Sequence, residues 1–138
     1  MTTLTDRQRA FLDEAHHAIV ATLDRNGAPS QSIVWYAREG DTLWISVRPD
    51  SVKARHVARD ARVSVLIPTD DGSGYLRLEG LAARDGEVDP AARRVLVSRY
   101  VGADELETWL AAHPLPSPNA RIRIRPTRII AYGGAPAE

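Results

Sequence analysis

The spacing of apolar and polar positions divides this chain into strands joined by short turns. Ala18–Leu23, AIVATL, is a continuous apolar run and predicts a strand covered on both faces. Asp24-Arg25-Asn26-Gly27 then predicts a tight hairpin, because Asn-Gly accepts the positive φ angles of a type I′ turn. The returning strand is expected over Ser30–Arg38, with an apolar centre, Ile33-Val34-Trp35-Tyr36, too continuous for one wet face. Glu39-Gly40-Asp41 turns the chain into Leu43–Val47, apolar and partly β-branched as a buried strand requires. Val63–Ile67, ended by Pro68, is the next strand. After a loop over 68–74, Tyr75–Gly80 alternates, and the strand is expected to run on to Arg84. Ala120–Arg125 alternates strictly, which predicts a half-buried strand with an arginine face; Pro126 is expected to bend it before Ile129–Tyr132 completes it.

Helical segments are few and short. Thr5, with Gln8 three residues on, has the spacing of a capping box. Arg48-Pro49-Asp50 breaks the third strand, and Ser51 is placed to cap a helix over 52–59. Asp89-Pro90 starts a helix over 90–100, with proline at its first position, and 103–112 forms another with Leu106, Trp109 and Leu110 on one side. Pro114, Pro116 and Pro118 make a stiff connector, and the tail from Gly133 is expected to be loose. Strands at hairpin spacing with few helices predict a mainly β fold, a small antiparallel barrel of about six strands with short peripheral helices.

Charge adds one feature that this pattern does not explain. Lys53, Arg55 and His56 lie early in the 52–59 helix, where cations oppose the helix dipole. An anion bound there would remove the conflict, since free N–H groups and side-chain cations would converge on it; the alternative is a solvated basic face. Of the eighteen Lys and Arg residues, Lys53 is the single lysine. A lysine surviving so strong a preference for arginine suits a role that needs a compact, flexible ammonium, such as reaching a phosphate.

The bulk properties exclude several classes. The 138 residues suit one domain, 1–138, with a modest core that dimerisation would help to cover. A formal net charge of zero argues against a nucleic-acid binder. There is no cysteine, so disulfides and thiolate chemistry are excluded. Met1–Arg9 is polar and no apolar run approaches the roughly 20 residues of a membrane span, so a cytoplasmic protein without membrane contact is expected. His16-His17 lacks a third ligand at suitable spacing, so no metal site is expected.

Four stretches together resemble the split β-barrel flavin-binding proteins, the group containing the pyridoxamine-phosphate-oxidase-like enzymes, and more closely their branch that uses the deazaflavin coenzyme F420. They are the hairpin Ala21–Pro29, the strand Ile33–Tyr36, the helix and turn Lys53–Ser64, and Arg125–Arg128. The resemblance implies a split antiparallel β-barrel forming a homodimer, with two cofactor sites at the subunit interface. It places Lys53 on the cofactor phosphate, Arg55 beside it at the family spacing, and Ser46 and Val47 along the site. Ser51 stands where the family often has a base, and can still donate a hydrogen bond. His56 stands where it often has asparagine, and can donate from its ring. Proline is usual where Ala61 stands.

The implied activity is hydride transfer from reduced F420 to a small organic acceptor, with the cofactor carrying the chemistry. The sequence ends without the extra C-terminal segment of true pyridoxamine phosphate oxidases, so that activity is not expected, and the Arg- and Ala-rich composition fits the high-GC genomes where F420 producers are common. An FMN-dependent oxidoreductase, or a non-catalytic flavin or tetrapyrrole carrier on the same barrel, are the alternatives. Trp35, Tyr36 and Tyr75 are candidates to stack on a ring system, or else ordinary packing residues. Tyr100 and Trp109 could close the pocket from the partner subunit, and His16 or His17 could donate a proton. No side chain is assigned as catalytic.

Overall fold

Each apolar run becomes a strand where its alternate residues find a common interior. The computed structural model describes residues 2–138, Met1 of the polar N-terminal segment lying outside them. The described residues form helices α1 (Asp6–Asp13), α2 (Val52–Arg59), α3 (Pro90–Ser98) and α4 (Leu106–Ala112). The strands are β1 (Ala18–Leu23), β2 (Pro29–Val34), β3 (Ala37–Glu39), β4 (Thr42–Val47), β5 (Arg62–Pro68), β6 (Tyr75–Glu87) and β7 (Ala120–Tyr132). All seven strands join one antiparallel sheet in the order β2-β1-β5-β6-β7-β4-β3. No described helix is long and apolar enough to cross a membrane.

The seventh strand arises because the expected strand over 30–38 breaks at Trp35-Tyr36. Tyr36 turns inward and is 1 % exposed. Its hydroxyl donates to the Leu12 carbonyl at 2.8 Å, and its N–H is accepted by the Tyr100 hydroxyl at 3.2 Å. Tyr36 is therefore a core residue rather than a stacking surface. The break sends β2 and β3, neighbours in the chain, to opposite edges of the sheet. Three peptide steps span at most about 11 Å, so the sheet must roll until its edges nearly meet. It remains hydrogen-bonded to neither side of that seam, which is the split of a split barrel.

The interior of the roll holds the main core, which includes Val20, Leu43, Ile45, Val65, Leu76, Leu78, Ile122 and Ile124. A smaller cluster, built on Trp44, Ala37, Val88 and Leu96, seats α3 on the outer face of β4. This two-sided burial is why Leu43–Val47 reads as a continuous apolar run. The outer face of β1 and β2 is different. Ile19, Ala21 and Leu23 are half-buried and Ile33 is 71 % exposed, so a single chain does not supply the two-sided cover expected there.

Local geometry differs from expectation at three further places. The first hairpin is not type I′: Gly27 has a positive φ of 80° but Asn26 does not. The Gly27 N–H bonds the Asp24 carbonyl, and the Asp24 carboxylate accepts from the amides of Asn26 and Ala28, which holds a wider loop. Pro126 does not interrupt the last strand. Glu79 pairs with Arg128 and Gly80 with Pro126, leaving Thr127 as the extra residue of a bulge, where a missing N–H is tolerated. Gly80 permits the bulge, because a Cβ there would lie 2.3 Å from the Arg125 carbonyl oxygen. The tail is held rather than loose: Ala135 is buried, and the Gln8 amide donates to the carbonyls of Pro136 and Ala137 at 3.3 Å.

Candidate functional site

The end of β4 and the start of α2 shape the floor of the largest cavity, about 710 Å³ and open to solvent; α3, α4 and the proline-rich segment before β7 form its far wall. Its near end is polar. Ser51 caps α2 as the sequence predicts, its Oγ accepting from the Ala54 N–H at 3.2 Å. The first-turn amides of Val52 and Lys53 have no intrahelical acceptor. Lys53 reaches across to β2, where its Nζ donates to Ser32 Oγ. Burial of the Lys53 ammonium pulls its pKa below the ordinary lysine value. Arg48 lines the same end, with Asp50 at 3.8 Å as a loose, solvent-exposed partner. The cavity lining contains no carboxylate.

The far end is aromatic and apolar. Trp35 stacks on Tyr100 with ring centroids 4.7 Å apart and planes 8° from parallel, and tilts against Trp109 at 5.7 Å. Trp109 in turn stacks on His113 at 4.1 Å. Leu96 and Val97 of α3 add aliphatic wall. On the floor, Ser46 accepts from Asn119 Nδ2 at 3.0 Å, tying β4 to the start of β7.

Six of the residues singled out from sequence thus meet in one cavity: Ser46, Val47, Ser51, Lys53, Trp35 and Trp109. Arg55, His56 and Tyr75 do not line it. Arg55 sits two residues beyond Lys53, roughly 200° around the helix, and points to solvent. His56 turns into the core, where its Nδ1 shares a 2.8 Å hydrogen bond with Thr22 Oγ1. Tyr75 lies at the start of β6 and stacks on Tyr132, centroids 5.4 Å apart. Trp109 lines the cavity of its own chain, and Tyr100 backs Trp35 from α3's end, so neither needs a partner to reach it. His16 is buried, stacked on Phe11 at 4.3 Å beside Glu14 and Asp70, away from the cavity.

Sequence reasoning passed over Arg48, Arg93, His113 and Asn119. His113 follows Trp109 by four residues, a spacing that puts both on one helical face, and this was the available clue. Asn119 carries no such mark in the sequence.

A protein-family model described as pyridoxamine 5′-phosphate oxidase matches residues 4–133. The chain belongs to the pyridoxamine 5′-phosphate oxidase family. Two curated relatives named pyridoxine/pyridoxamine 5′-phosphate oxidase share sequence with it. One, from Shewanella denitrificans, is 27% identical over 114 residues, which is 80% of this chain and 51% of that protein. Another, from Shewanella halifaxensis, is 39% identical over 64 residues, 46% of this chain and 30% of that one. This family member therefore spans about half or less of the curated relatives it matches. A solved F420 reductase superposes with a TM-score of 0.71 at 23% identity, covering 92% of this chain and 98% of that one, a likeness of fold.

The family is one of oxidoreductases on a flavin-binding split barrel, and the donor set here fits such a group. A phosphate would meet the Lys53 ammonium, the Ser51 hydroxyl, Arg48 and the free amides of the α2 first turn. A ring system would meet Val47, Val34 and the indole of Trp35.

Proposed function

We propose that this chain is an F420-dependent oxidoreductase acting on a small organic acceptor. The observation that carries the reading is the two-ended cavity, with an uncompensated lysine at a helix N-terminus facing an aromatic wall. When bound, reduced F420 supplies the hydride. The protein supplies the rest. Lys53, Ser51 and Arg48 hold the phosphate end. Val47 and Val34 exclude water from the ring, and Trp35, fixed by its stack on Tyr100, sets the ring's position.

The likeness to an F420 reductase over nearly the full length of both chains supports F420 over FMN. FMN is the second reading, favoured by the names of the curated relatives. Separate fluorescence titrations with F420 and FMN decide between them. Tighter binding of F420 is expected, and FMN binding about tenfold tighter, 1.4 kcal/mol, would reverse the assignment. Decay of reduced-F420 absorbance with candidate acceptors separates an enzyme from a carrier.

A homodimer belongs to the same proposal. Ile33 is exposed on edge strand β2 at the lip of the cavity, with Val52 and Leu81 each 50 % exposed. A second copy covering this face would bury the edge and narrow the cavity mouth.

A further inference from the structure

Arg93 has no task in holding a cofactor at the Lys53 end. It projects from α3 into the far end of the cavity, and it also lines a second cavity of about 330 Å³ beneath the proline segment. Its guanidinium lies 5.7 Å from the centroid of the Trp109 ring, and one Nη donates to the His113 carbonyl. The next residue, Arg94, is neutralised by Glu107. Among the described residues Arg93 forms no ion pair, and neither cavity is lined by a carboxylate. A guanidinium carries five N–H donors in a planar fork, and the protein uses one of them here. A cation–π contact with the indole leaves the remaining donors free.

We infer that Arg93 is the anion-recognition residue of the acceptor subsite, and that the acceptor is an organic carboxylate whose apolar body rests on Leu96, Val97 and Leu115. Charge matching favours a carboxylate here. A single guanidinium suits a monoanion, whereas a phosphate dianion is better served by Lys53, Arg48 and the helix N-terminus at the other end. This inference rests on the reading of the cavity as a joint cofactor and acceptor site. It adds the class of acceptor.

The test is calorimetric titration of the purified protein, without cofactor, by 4-nitrobenzoate and by its methyl ester. The acid is expected to bind about tenfold more tightly than the ester. Arg93→Gln keeps a donor for the His113 carbonyl and removes the charge. It should equalise acid and ester while leaving F420 affinity unchanged. Lys53→Ala should keep the acid preference. Raised salt should weaken the acid and spare the ester in the wild-type protein, a readout that needs no variant. The inference is overturned by equal binding of acid and ester, by a flat salt response, by a preference that survives Arg93→Gln, or by one lost in Lys53→Ala instead. Failure of the F420 and FMN titrations would remove the cofactor reading separately, since the acid–ester comparison uses no cofactor.

Discussion

Replacing Lys53 with alanine removes the only amine at the phosphate end of the cavity. The ammonium is partly buried and hydrogen-bonded to Ser32 but has no acidic partner, so a bound phosphate would be its first counter-ion. A hydrogen bond to a charged group contributes about 1.5–3 kcal/mol, so cofactor affinity should fall roughly ten- to hundredfold. The fold should tolerate the change. Losing the bond to Ser32 costs about 1 kcal/mol, and relieving a cation at the N-terminus of α2 returns about 0.3–1 kcal/mol, so the melting temperature should move little. Lys53→Arg should be partly defective, because a planar fork does not fill the place of a compact ammonium. Cofactor affinity should decline as pH rises through the lowered Lys53 pKa, and Lys53→Ala should lack that alkaline limb. In the cofactor-free protein the unfolded chain holds this proton more firmly than the folded one, so Lys53 makes stability rise with pH across the same interval. Isothermal titration of wild type and Lys53→Ala at two salt concentrations measures the effect. Equal affinities at both would refute the phosphate role of Lys53.

Gly80→Ala should destabilise by about 3 kcal/mol, as overpacking against backbone does, and thermal denaturation would show it; an unchanged melting point would mean that the bulge is not held by the close approach to Arg125. Tyr36→Phe leaves the buried Leu12 carbonyl without the hydroxyl it accepts from and should cost about 1 kcal/mol, with cofactor affinity unchanged in a fluorescence titration. Ile33→Glu should convert the proposed dimer to monomer in light scattering; a wild-type monomer at micromolar concentration would end the dimer proposal. Asp60 and Asp71 are both held at about 2, Asp60 by Arg62 and Asp71 by the amide and hydroxyl of Ser73. Their folded values lie below the unfolded one, so their contribution is present above the unfolded value and lost as pH falls through about 2. Asp71→Asn should flatten the acid limb of a melting-temperature profile.

The strands other than β3, the four helices and the caps of the first three were legible because each rests on local rules. Thr5 with Gln8, Ser51 and Asp89 all cap as their spacing requires. The turn type at Asn26-Gly27 was misread because the Asp24 side chain holds two loop amides, a tie the dipeptide alone does not reveal. The break at Trp35-Tyr36 was hidden because an apolar run looks the same whether its residues face one core or are shared between two strand pairings. In the candidate site, the β4–α2 residues were legible, since sequence neighbours stay neighbours across a strand–helix turn. Arg93, His113 and Asn119 come from segments about 40 to 70 residues away, and only the fold brings them to Lys53. The bond that turns His56 into the core was not legible, because Thr22, its partner, is distant in sequence.

The seam between β2 and β3 has a mechanical meaning. Every other strand boundary in the sheet is laced by backbone hydrogen bonds, so parting it would break a ladder. Parting the seam breaks none, and disturbs chiefly the stack of Trp35 on Tyr100 and the bonds that Tyr36 makes around it. Trp35 is at once the hinge pin of that joint and a wall of the cavity. The width of the pocket is therefore set by side-chain contacts, the Trp35–Tyr100 stack and the Lys53–Ser32 bond, and a ligand that wedges against the indole works on a line that no backbone ladder closes.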